Sequence, residues 1–418
     1  MNFPALNRQR EIYLKGFAGS YPSVPVSFSK LEEAAKQAVS PHAFAYIVGG
    51  AGNESTMRAN REAFEKIKII PRMLRDVSDR DTSIELFGQK LPSPFLLCPI
   101  GVLEMVNKEA DVAVGKAAAS VNIPFIFSNQ ASRPMEEIAS VMGASLRWFQ
   151  LYWSKSNDLV ASFVERAERC GCSAIVVTLD TTVLGWRTRD LDLAYLPFLE
   201  GKGIAQYTSD PVFQKLMDIP EPPSEKNVSW QSLIGLREMV KNYPGGSFFS
   251  KLKTGRPIKA VQKFISTYSN PALKWDDLKF IRERTRLPIL LKGILHTDDA
   301  RKAIDYGMNG VIVSNHGGRQ VDGAIATLDA LPEIVKAIDK RIPVLLDSGI
   351  RGGADAFKAL GLGADAVCIG RPYVYGLAIA GQIGVEEVLK NFLADFELTM
   401  ALAGCKNISE ITHESLSL

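Results

Sequence analysis

The chain has 418 residues, 46% of them hydrophobic, and a formal net charge of +3. This length allows a large buried core, and the nearly balanced charge excludes the protein-wide positive field that attracts nucleic acid. Residues 1–16 carry charged residues and no apolar core, so we expect no secretory signal, and no stretch reaches the roughly 20 apolar residues of a membrane span. The five cysteines are scattered, which favours reduced thiols in the cytoplasm and predicts no metal site; they are Cys98, Cys170, Cys172, Cys368 and Cys405.

A helical segment is predicted before the main body of the protein. Apolar residues recur at helical spacing over residues 29–64, with a second helix expected from Glu54. Residues 67–89 are irregular with short strands, so we assign residues 1–90 to a helical segment with a linker. Spacing alone favours a core position for Tyr46.

Residues 91–418 are predicted to form one α/β barrel domain. Short apolar runs alternate with helical stretches of roughly 10 to 15 residues, the pattern of βα units around a parallel sheet. Such units close most naturally into a (β/α)₈ barrel, whose chemistry lies at the carboxyl ends of the strands. The alternative is an open doubly wound sheet, but the Gly-x-Gly-x-x-Gly turn expected after its first strand is absent at residues 98–101. The eight runs are 95–101, 125–130, 148–153, 174–180, 288–293, 311–318, 343–349 and 366–371.

The spacing breaks after the fourth run, where residues 191–271 are too long for one βα connection and predict an insertion or lid. Basic and aromatic residues are interleaved within it, and between residues 237 and 263 only Glu238 opposes the positive charge. One interpretation is a patch for a membrane or protein partner; the other, favoured by composition alone, is a solvated flexible lid. The residues are Arg237, Lys241, Lys251, Lys253, Arg256, Lys259 and Lys263, with Tyr243, Phe248, Phe249 and Phe264. After the eighth run, residues 384–403 predict a long amphipathic helix.

Polar residues stand two apart at the ends of several predicted strands, and therefore face the same way. One buried polar pair is usually a satisfied core hydrogen bond, but several pairs at equivalent strand ends predict a functional site. At such a site Tyr152 can donate a hydrogen bond to a substrate hydroxyl or oxyanion. The pairs are Gln150 with Tyr152, Thr178 with Asp180, and Ser314 with His316.

His316 is the predicted general base of this site. Asp180 is its expected partner, because a carboxylate bonded to imidazole raises its basicity and fixes its tautomer. Arg187 and Arg319 add two guanidinium groups near the base, and paired groups of this kind suit a substrate carboxylate. The alternative for Arg187 is a surface ion pair with Asp190.

An anion site is predicted next to the base. Lys292 ends an apolar run, and a buried lysine is costly unless it meets an anion, which implies a Schiff base or an anionic cofactor. The turns at residues 347–353 and 369–372 follow the last two strands, where barrels commonly hold phosphate. Arg351 and Arg371 would balance its charge.

The stretch Ser314-Asn315-His316-Gly317-Gly318-Arg319-Gln320 resembles the signature of the FMN-dependent α-hydroxy acid oxidases and dehydrogenases, a family that includes glycolate oxidase and lactate oxidase. The resemblance extends over nearly the whole chain. Within the family, stretches such as Pro71-Arg72-Met73-Leu74 and Gly185-Trp186-Arg187 look most similar to the lactate 2-monooxygenases. The family resemblance implies that the protein oxidises an L-2-hydroxy acid to the 2-oxo acid or, by oxidative decarboxylation, to the shorter carboxylic acid. The implied electron acceptor is O₂.

The resemblance also implies residue roles. FMN would be held by Pro99, Ile100, Gly101, Ser128, Gln150, Thr178, Lys292, Ser314, Asp347, Gly349, Arg351, Gly370 and Arg371. The substrate would contact Tyr46, Gln130, Tyr152, Arg187, His316 and Arg319. His316, Asp180, Tyr152 and Arg187 would be catalytic, and the resemblance reverses the core assignment of Tyr46. Whether the base removes the α-hydrogen as a proton or takes the hydroxyl proton during hydride transfer stays open.

The chain departs from the family after Ser128, where related enzymes carry small or apolar residues and this chain has Asn129 and Gln130. We hypothesise that Gln130 narrows or polarises the pocket, so that the substrate carries a polar group that lactate lacks. Alternative functions are a lyase or isomerase without net redox chemistry, and a membrane-associated dehydrogenase that passes electrons to quinone. We expect a small substrate, O₂, no nucleic acid, no membrane and a homo-oligomer, a tetramer or octamer.

Overall fold

The computed structural model describes residues 4–220 and 230–417. Eight parallel strands form a closed barrel in chain order, and the last strand pairs with the first, Cys368 opposite Leu96. The predicted (β/α)₈ barrel is therefore confirmed, and the open sheet is wrong. The strands are β1 (Phe95–Leu97), β2 (Phe125–Phe127), β3 (Arg147–Leu151), β4 (Ile175–Thr178), β5 (Ile289–Ile294), β6 (Gly310–Val313), β7 (Val344–Leu346) and β8 (Ala366–Ile369).

Helices cover the outside of the barrel. The first four are α1 (Pro4–Phe17), α2 (Phe28–Ala38), α3 (Pro41–Val48) and α4 (Ser55–Lys66). Next come α5 (Ala110–Ser120), α6 (Met135–Met142), α7 (Asn157–Arg169), α8 (Thr188–Asp192), α9 (Ala205–Thr208), α10 (Pro211–Leu216), α11 (Trp230–Asn242), α12 (Phe248–Thr254) and α13 (Arg256–Thr267). The last are α14 (Leu278–Arg282), α15 (Thr297–Asp305), α16 (Thr327–Ile338), α17 (Gly353–Gly361) and α18 (Arg371–Ala403).

Alternation along the strands divides the apolar residues between two cores. Leu96, Ile126 and Leu345 point into the barrel, whereas Leu97 and Phe127 belong to the core between the strands and the helices. Successive side chains of a strand face opposite ways, so a short run that is apolar throughout fits a strand buried on both faces. The barrel interior is thus filled with side chains, and the polar residues lie above this layer, at the strand ends.

The segment before the barrel has the predicted helices and short strands. Ile84–Leu86 pairs with Gln89–Leu91, and Lys68–Ile69 pairs with Leu416–Ser417 near the end of the chain. The helix predicted at residues 384–403 instead begins at Arg371, directly after β8, because Pro372 suits a first helical turn. This helix is kinked at Ala380 and Gly381, where the φ of Gly381 is 59°.

The long connection between β4 and β5 carries α8 to α13 and has its own aromatic core. The ring of Phe264 stacks on Tyr268 at 4.9 Å and meets Tyr207 edge-on at 4.8 Å. Lys263 and Phe264 are buried, so this part of the basic and aromatic stretch is packed rather than solvated. Among the helices of residues 4–220 and 230–417, none has an apolar stretch long enough to cross a bilayer.

Candidate active site

A cavity opens at the carboxyl ends of the strands, where the active sites of (β/α)₈ enzymes lie. Most residues predicted for the site line it: Tyr46, Pro99, Ile100, Gly101, Gln130, Tyr152, Arg187, Lys292, His316, Arg319, Asp347, Gly349, Arg351, Gly370 and Arg371. Five others do not line it but bond within the wall behind it: Ser128, Gln150, Thr178, Asp180 and Ser314.

His316 stands at the end of β6 in a turn of left-handed backbone. The φ angles of His316, Gly317 and Gly318 are 57°, 67° and 76°. This conformation is strained for histidine and normal for glycine, so the two glycines allow the turn while His316 bears the strain. The amide of His316 donates to Ser314 Oγ at 3.1 Å, and that of Gly317 donates to Ser348 Oγ at 2.9 Å. The turn thereby directs the imidazole into the cavity.

Asp180 holds the imidazole of His316. Its Oδ1 lies 2.7 Å from Nδ1, which assigns the proton to Nδ1 and leaves Nε2 as the base. Burial lowers the pKa of His316 more than Asp180 raises it, so the ring is neutral at neutral pH. Burial alone would raise the pKa of Asp180, but His316 and Lys292 outweigh it and lower this pKa to about 2. A neutral imidazole beside a permanent carboxylate is suited to accept a proton.

Lys292 connects the base to the last strands. Its Nζ donates to Ser314 Oγ at 2.7 Å and lies 3.1 Å from Asp347 Oδ2 and 3.8 Å from Asp180 Oδ2. Burial would lower the pKa of Lys292, but Asp347 and Asp180 raise it well above its usual value. The amine is therefore a permanent ammonium, which disfavours a Schiff-base role, since that role needs a neutral amine.

Gln150 organises the wall behind the cavity. Its Oε1 accepts hydrogen bonds from Ser128 Oγ at 3.2 Å and from the amide of Asn129 at 3.3 Å. Its Nε2 donates to Thr178 Oγ1 at 3.0 Å. The network joins the ends of β2, β3 and β4 and fixes the polar edge of the cavity.

Arg187 and Arg319 lie side by side in the cavity wall. Arg187 is buried and donates to the carbonyl of Arg319 and to Gln320 Oε1 at 3.0 Å, so the alternative of a surface ion pair with Asp190 is wrong. Arg319 donates to the carbonyl of Gly49 at 2.9 Å and lies over the ring of Tyr46 at 5.0 Å. Burial and the neighbouring Arg187 lower the pKa of Arg319. Neither guanidinium forms an ion pair within the described residues, so together they favour an anionic ligand.

A second pair of buried arginines follows β7 and β8. Arg371 donates to the carbonyls of Ile47, Gly49 and Gly317, and Arg351 stacks over Phe28 at 4.3 Å. Burial and the proximity of Arg371 lower the pKa of Arg351 to about 10. In residues 4–220 and 230–417 neither forms an ion pair with a carboxylate. The two cations fit a phosphate group.

Several residues that line the cavity were missed by sequence reasoning, among them Thr181, Ser348, Phe198 and Tyr268. Thr181 lies 3.2 Å from His316 Nδ1, and its position next to Asp180 could have suggested it. Ser348 accepts from the Gly317 amide and adjoins Asp347 in the predicted phosphate turn. Phe198 and Tyr268 come from the insertion, where no local pattern pointed to the cavity.

The fold and site define a (β/α)₈ enzyme that places a histidine–aspartate base beside a cationic site for a phosphorylated cofactor. The family model described as FMN-dependent dehydrogenase matches residues 35–418. The chain belongs to this family, and its cofactor is FMN. Arg351 and Arg371 would hold the phosphate group, and Lys292 would place its positive charge beside the ring system.

Similar proteins of known sequence and structure cover nearly the whole chain. It is 42% identical to an L-lactate oxidase of Lysinibacillus sphaericus (strain C3-41), covering 95% of this chain and 94% of that protein. It is 39% identical to the FMN-dependent alpha-hydroxy acid dehydrogenase qulF of Penicillium citrinum, covering 98% of this chain and 94% of that protein. The crystal structure of a mandelate oxidase aligns with a TM-score of 0.75 at 34% identity, covering 94% of this chain and 98% of that one.

Proposed function

We propose that this protein oxidises a small L-2-hydroxy acid, of about the size of lactate, to the 2-oxo acid with O₂ as electron acceptor. The observation that carries the proposal is the neutral His316, held by Asp180 at 2.7 Å, in one cavity with two arginines that form no ion pair within residues 4–220 and 230–417. A 2-hydroxy acid supplies both missing parts, a carboxylate for the arginines and a proton for the base. The oxidases among the similar proteins support O₂ as acceptor.

The residues of the site have different roles in the proposed reaction. Arg187 and Arg319 bind the substrate carboxylate and orient the α-carbon towards His316. Burial raises the pKa of Tyr152 to about 12, so its hydroxyl stays protonated and donates a hydrogen bond to the substrate oxygen. His316 Nε2 receives the proton, and Asp180 stabilises the resulting imidazolium. FMN, when bound, accepts the two electrons of the oxidation and transfers them to O₂.

Product analysis tests this proposal. In air, an oxidase consumes one O₂ and forms one 2-oxo acid and one H₂O₂ for each hydroxy acid. If peroxide reacts with the 2-oxo acid before either leaves, the products are the shorter carboxylic acid, CO₂ and water. We propose that this second outcome also occurs, because the chain resembles the lactate 2-monooxygenases. Consumption of hydroxy acid without uptake of O₂ would contradict the proposal.

The rate should depend on pH through His316. Since the base acts when neutral, kcat/KM is expected to be constant at neutral pH and to fall as the pH drops through the pKa of His316. Burial places that pKa below 6.5, so the acid limb should have its midpoint below pH 6.5. In Asp180→Asn the midpoint should move lower still, because the carboxylate that raises the pKa of His316 is gone. A midpoint above pH 7 in the wild type would contradict the assignment.

A second candidate function is a dehydrogenase that docks on an anionic membrane through the insertion. One observation favours it: Phe248, Phe249 and Leu252 of α12 are 42%, 80% and 43% exposed, next to Lys251 and Lys253. This candidate predicts that the protein sediments with phosphatidylserine vesicles and that Phe249→Ser abolishes sedimentation. Our main proposal predicts protein that stays in the supernatant and consumes O₂.

Assembly and location complete the proposal. We propose a homo-oligomer, a tetramer or octamer, in the cytoplasm, with residues 1–90 and 91–418 as the two parts of each subunit and residues 191–271 as the insertion. The free state of all five cysteines supports a reducing compartment.

A further inference from the structure

We propose that Gln130 and Tyr268 select a substrate whose side chain carries a neutral hydrogen-bonding group, such as a hydroxyl, at the carbon next to the reacting one. This inference rests on the proposed function and names the substrate class within it. The 2-hydroxy acid would then be more polar than lactate and would carry one carboxylate only.

The side-chain amide of Gln130 has no hydrogen-bond partner among residues 4–220 and 230–417. Its backbone is fixed, because its amide donates to Ser128 Oγ at 3.1 Å and its carbonyl accepts from the amide of Val102 at 2.9 Å. The residue is only 9% exposed and lines the cavity, yet its carboxamide forms no hydrogen bond within the described residues. A ligand that covers this amide without pairing with it would bury an unsatisfied polar group, whereas a ligand that pairs with it avoids that penalty.

The turn after β1 leaves space for Gln130 because it contains Gly101, which has no side chain. A Cβ built on Gly101 would lie 2.9 Å from the Cβ of Gln130 and 2.9 Å from its carbonyl oxygen. The backbone and the Cβ of Gln130 are therefore packed directly against the turn that follows β1.

Tyr268 supplies a second neutral group in the same cavity. Its ring is stacked on Phe264 at 4.9 Å with an interplanar angle of 16° and faces Phe198 at 6.4 Å. Phe198 lies near the backbone of Gln130, since a Cβ built on Gly203 would be 3.2 Å from the Phe198 ring and 3.1 Å from the Gln130 carbonyl oxygen. The hydroxyl of Tyr268 has no hydrogen-bond partner in the described part of the chain. The Gln130 amide and the Tyr268 hydroxyl are therefore two uncharged groups of one cavity that are available to bind a ligand.

The barrel order places this wall across from the base. Gln130 follows β2 and His316 follows β6, and these strands are diametrically opposite in a closed barrel of eight. A substrate with its carboxylate on Arg187 and Arg319, on the β4 and β6 side, directs its side chain towards β2. The amide and the phenol can pair there with a hydroxyl. They offer no cation to a second carboxylate, and an alkyl chain would leave the amide unpaired.

The test compares L-glycerate with L-2-hydroxybutyrate, which have the same number of heavy atoms and differ by a hydroxyl in place of a methyl group. The holoenzyme should show kcat/KM about 10- to 100-fold higher for L-glycerate, because the unmatched amide disfavours the methyl group. Gln130→Leu should lower kcat/KM for L-glycerate by a similar factor and leave that for L-2-hydroxybutyrate unchanged or higher. Tyr268→Phe should also lower the ratio of kcat/KM for L-glycerate to kcat/KM for L-2-hydroxybutyrate, but by a smaller factor. L-malate, a dicarboxylate, should be a poor substrate for all three proteins.

The control is Gln37→Leu, which changes an exposed glutamine of α2 and should leave both values unchanged. Equal kcat/KM values for the two acids in the wild type would overturn this inference, as would an equal loss of kcat/KM for both acids in Gln130→Leu. The proposed oxidase function would stand in either case. If no L-2-hydroxy acid is oxidised, the proposed function fails and the inference fails with it.

Discussion

Replacing His316 by alanine is expected to lower kcat/KM by about 10³- to 10⁴-fold, a loss of about 4–6 kcal/mol in transition-state stabilisation, while FMN stays bound. The reason is that Nε2 of His316 is the proposed proton acceptor, and Asp180 holds the ring through Nδ1 at 2.7 Å. Single-turnover reduction of the flavin by substrate without oxygen measures the step directly. The flavin absorbance of the purified variant measures FMN retention.

His296→Ala is the matched control, because His296 is exposed at the start of α15 and its ring accepts a hydrogen bond from the backbone of Asp298. That variant should reduce its flavin at the wild-type rate. Rapid reduction in His316→Ala, with FMN fully bound, would show that another group is the base. Loss of FMN in that variant would assign His316 to cofactor binding instead.

Replacing Lys292 by methionine is expected to lower the free energy of unfolding by about 3–5 kcal/mol. Methionine has a similar length but no charge, so Asp180 and Asp347 would remain buried without their cation. Both carboxylates are within 3.8 Å of Lys292 Nζ, and Asp347 is at 3.1 Å. Urea unfolding of the wild type and the variant at one fixed FMN concentration measures the difference, since bound cofactor itself adds stability.

Lys390→Met is the control for this change. Lys390 is 43% exposed and its ion pairs are with the partly exposed Glu386 and Glu387. Exposed ion pairs contribute about 0–1 kcal/mol, so the control should stay close to the wild type. An unfolding free energy of Lys292→Met within 1 kcal/mol of the control would mean that the two carboxylates do not need this ammonium.

The sequence was sufficient for the parts of the molecule that repeat or that have local signals. Eight apolar runs with helical spacers predict a barrel even when the bounds of the helices are inexact. Each strand overlaps its predicted run, and β3, β5 and β6 extend one residue beyond it. The pairing of Asp180 with His316 followed from polar residues at the ends of parallel strands, which meet at one edge of the barrel. The spacing of Tyr46 indicated the core, and the residue is in fact both 7% exposed and part of the cavity lining.

What the sequence did not predict depends on contacts between distant segments. Tyr268 enters the cavity because the insertion folds back on an aromatic core of Phe198, Phe264 and Tyr207, and nothing near position 268 indicates this. The burial of Arg187 likewise depends on Gln320, which is more than a hundred residues away along the chain. Local sequence patterns predict the helices, the strands and the polar residues at the strand ends. The residues that form the cavity walls can be identified only from the tertiary structure.

The central claim is that this site removes two electrons from an L-2-hydroxy acid by way of its bound FMN. Mixing the purified holoenzyme with L-lactate, L-glycerate or L-2-hydroxybutyrate in the absence of oxygen tests it most directly. We predict that the visible flavin absorbance falls with at least one of these acids, not with its D-enantiomer, and returns when air is admitted. Absorbance that stays unchanged with every L-acid would contradict the claim.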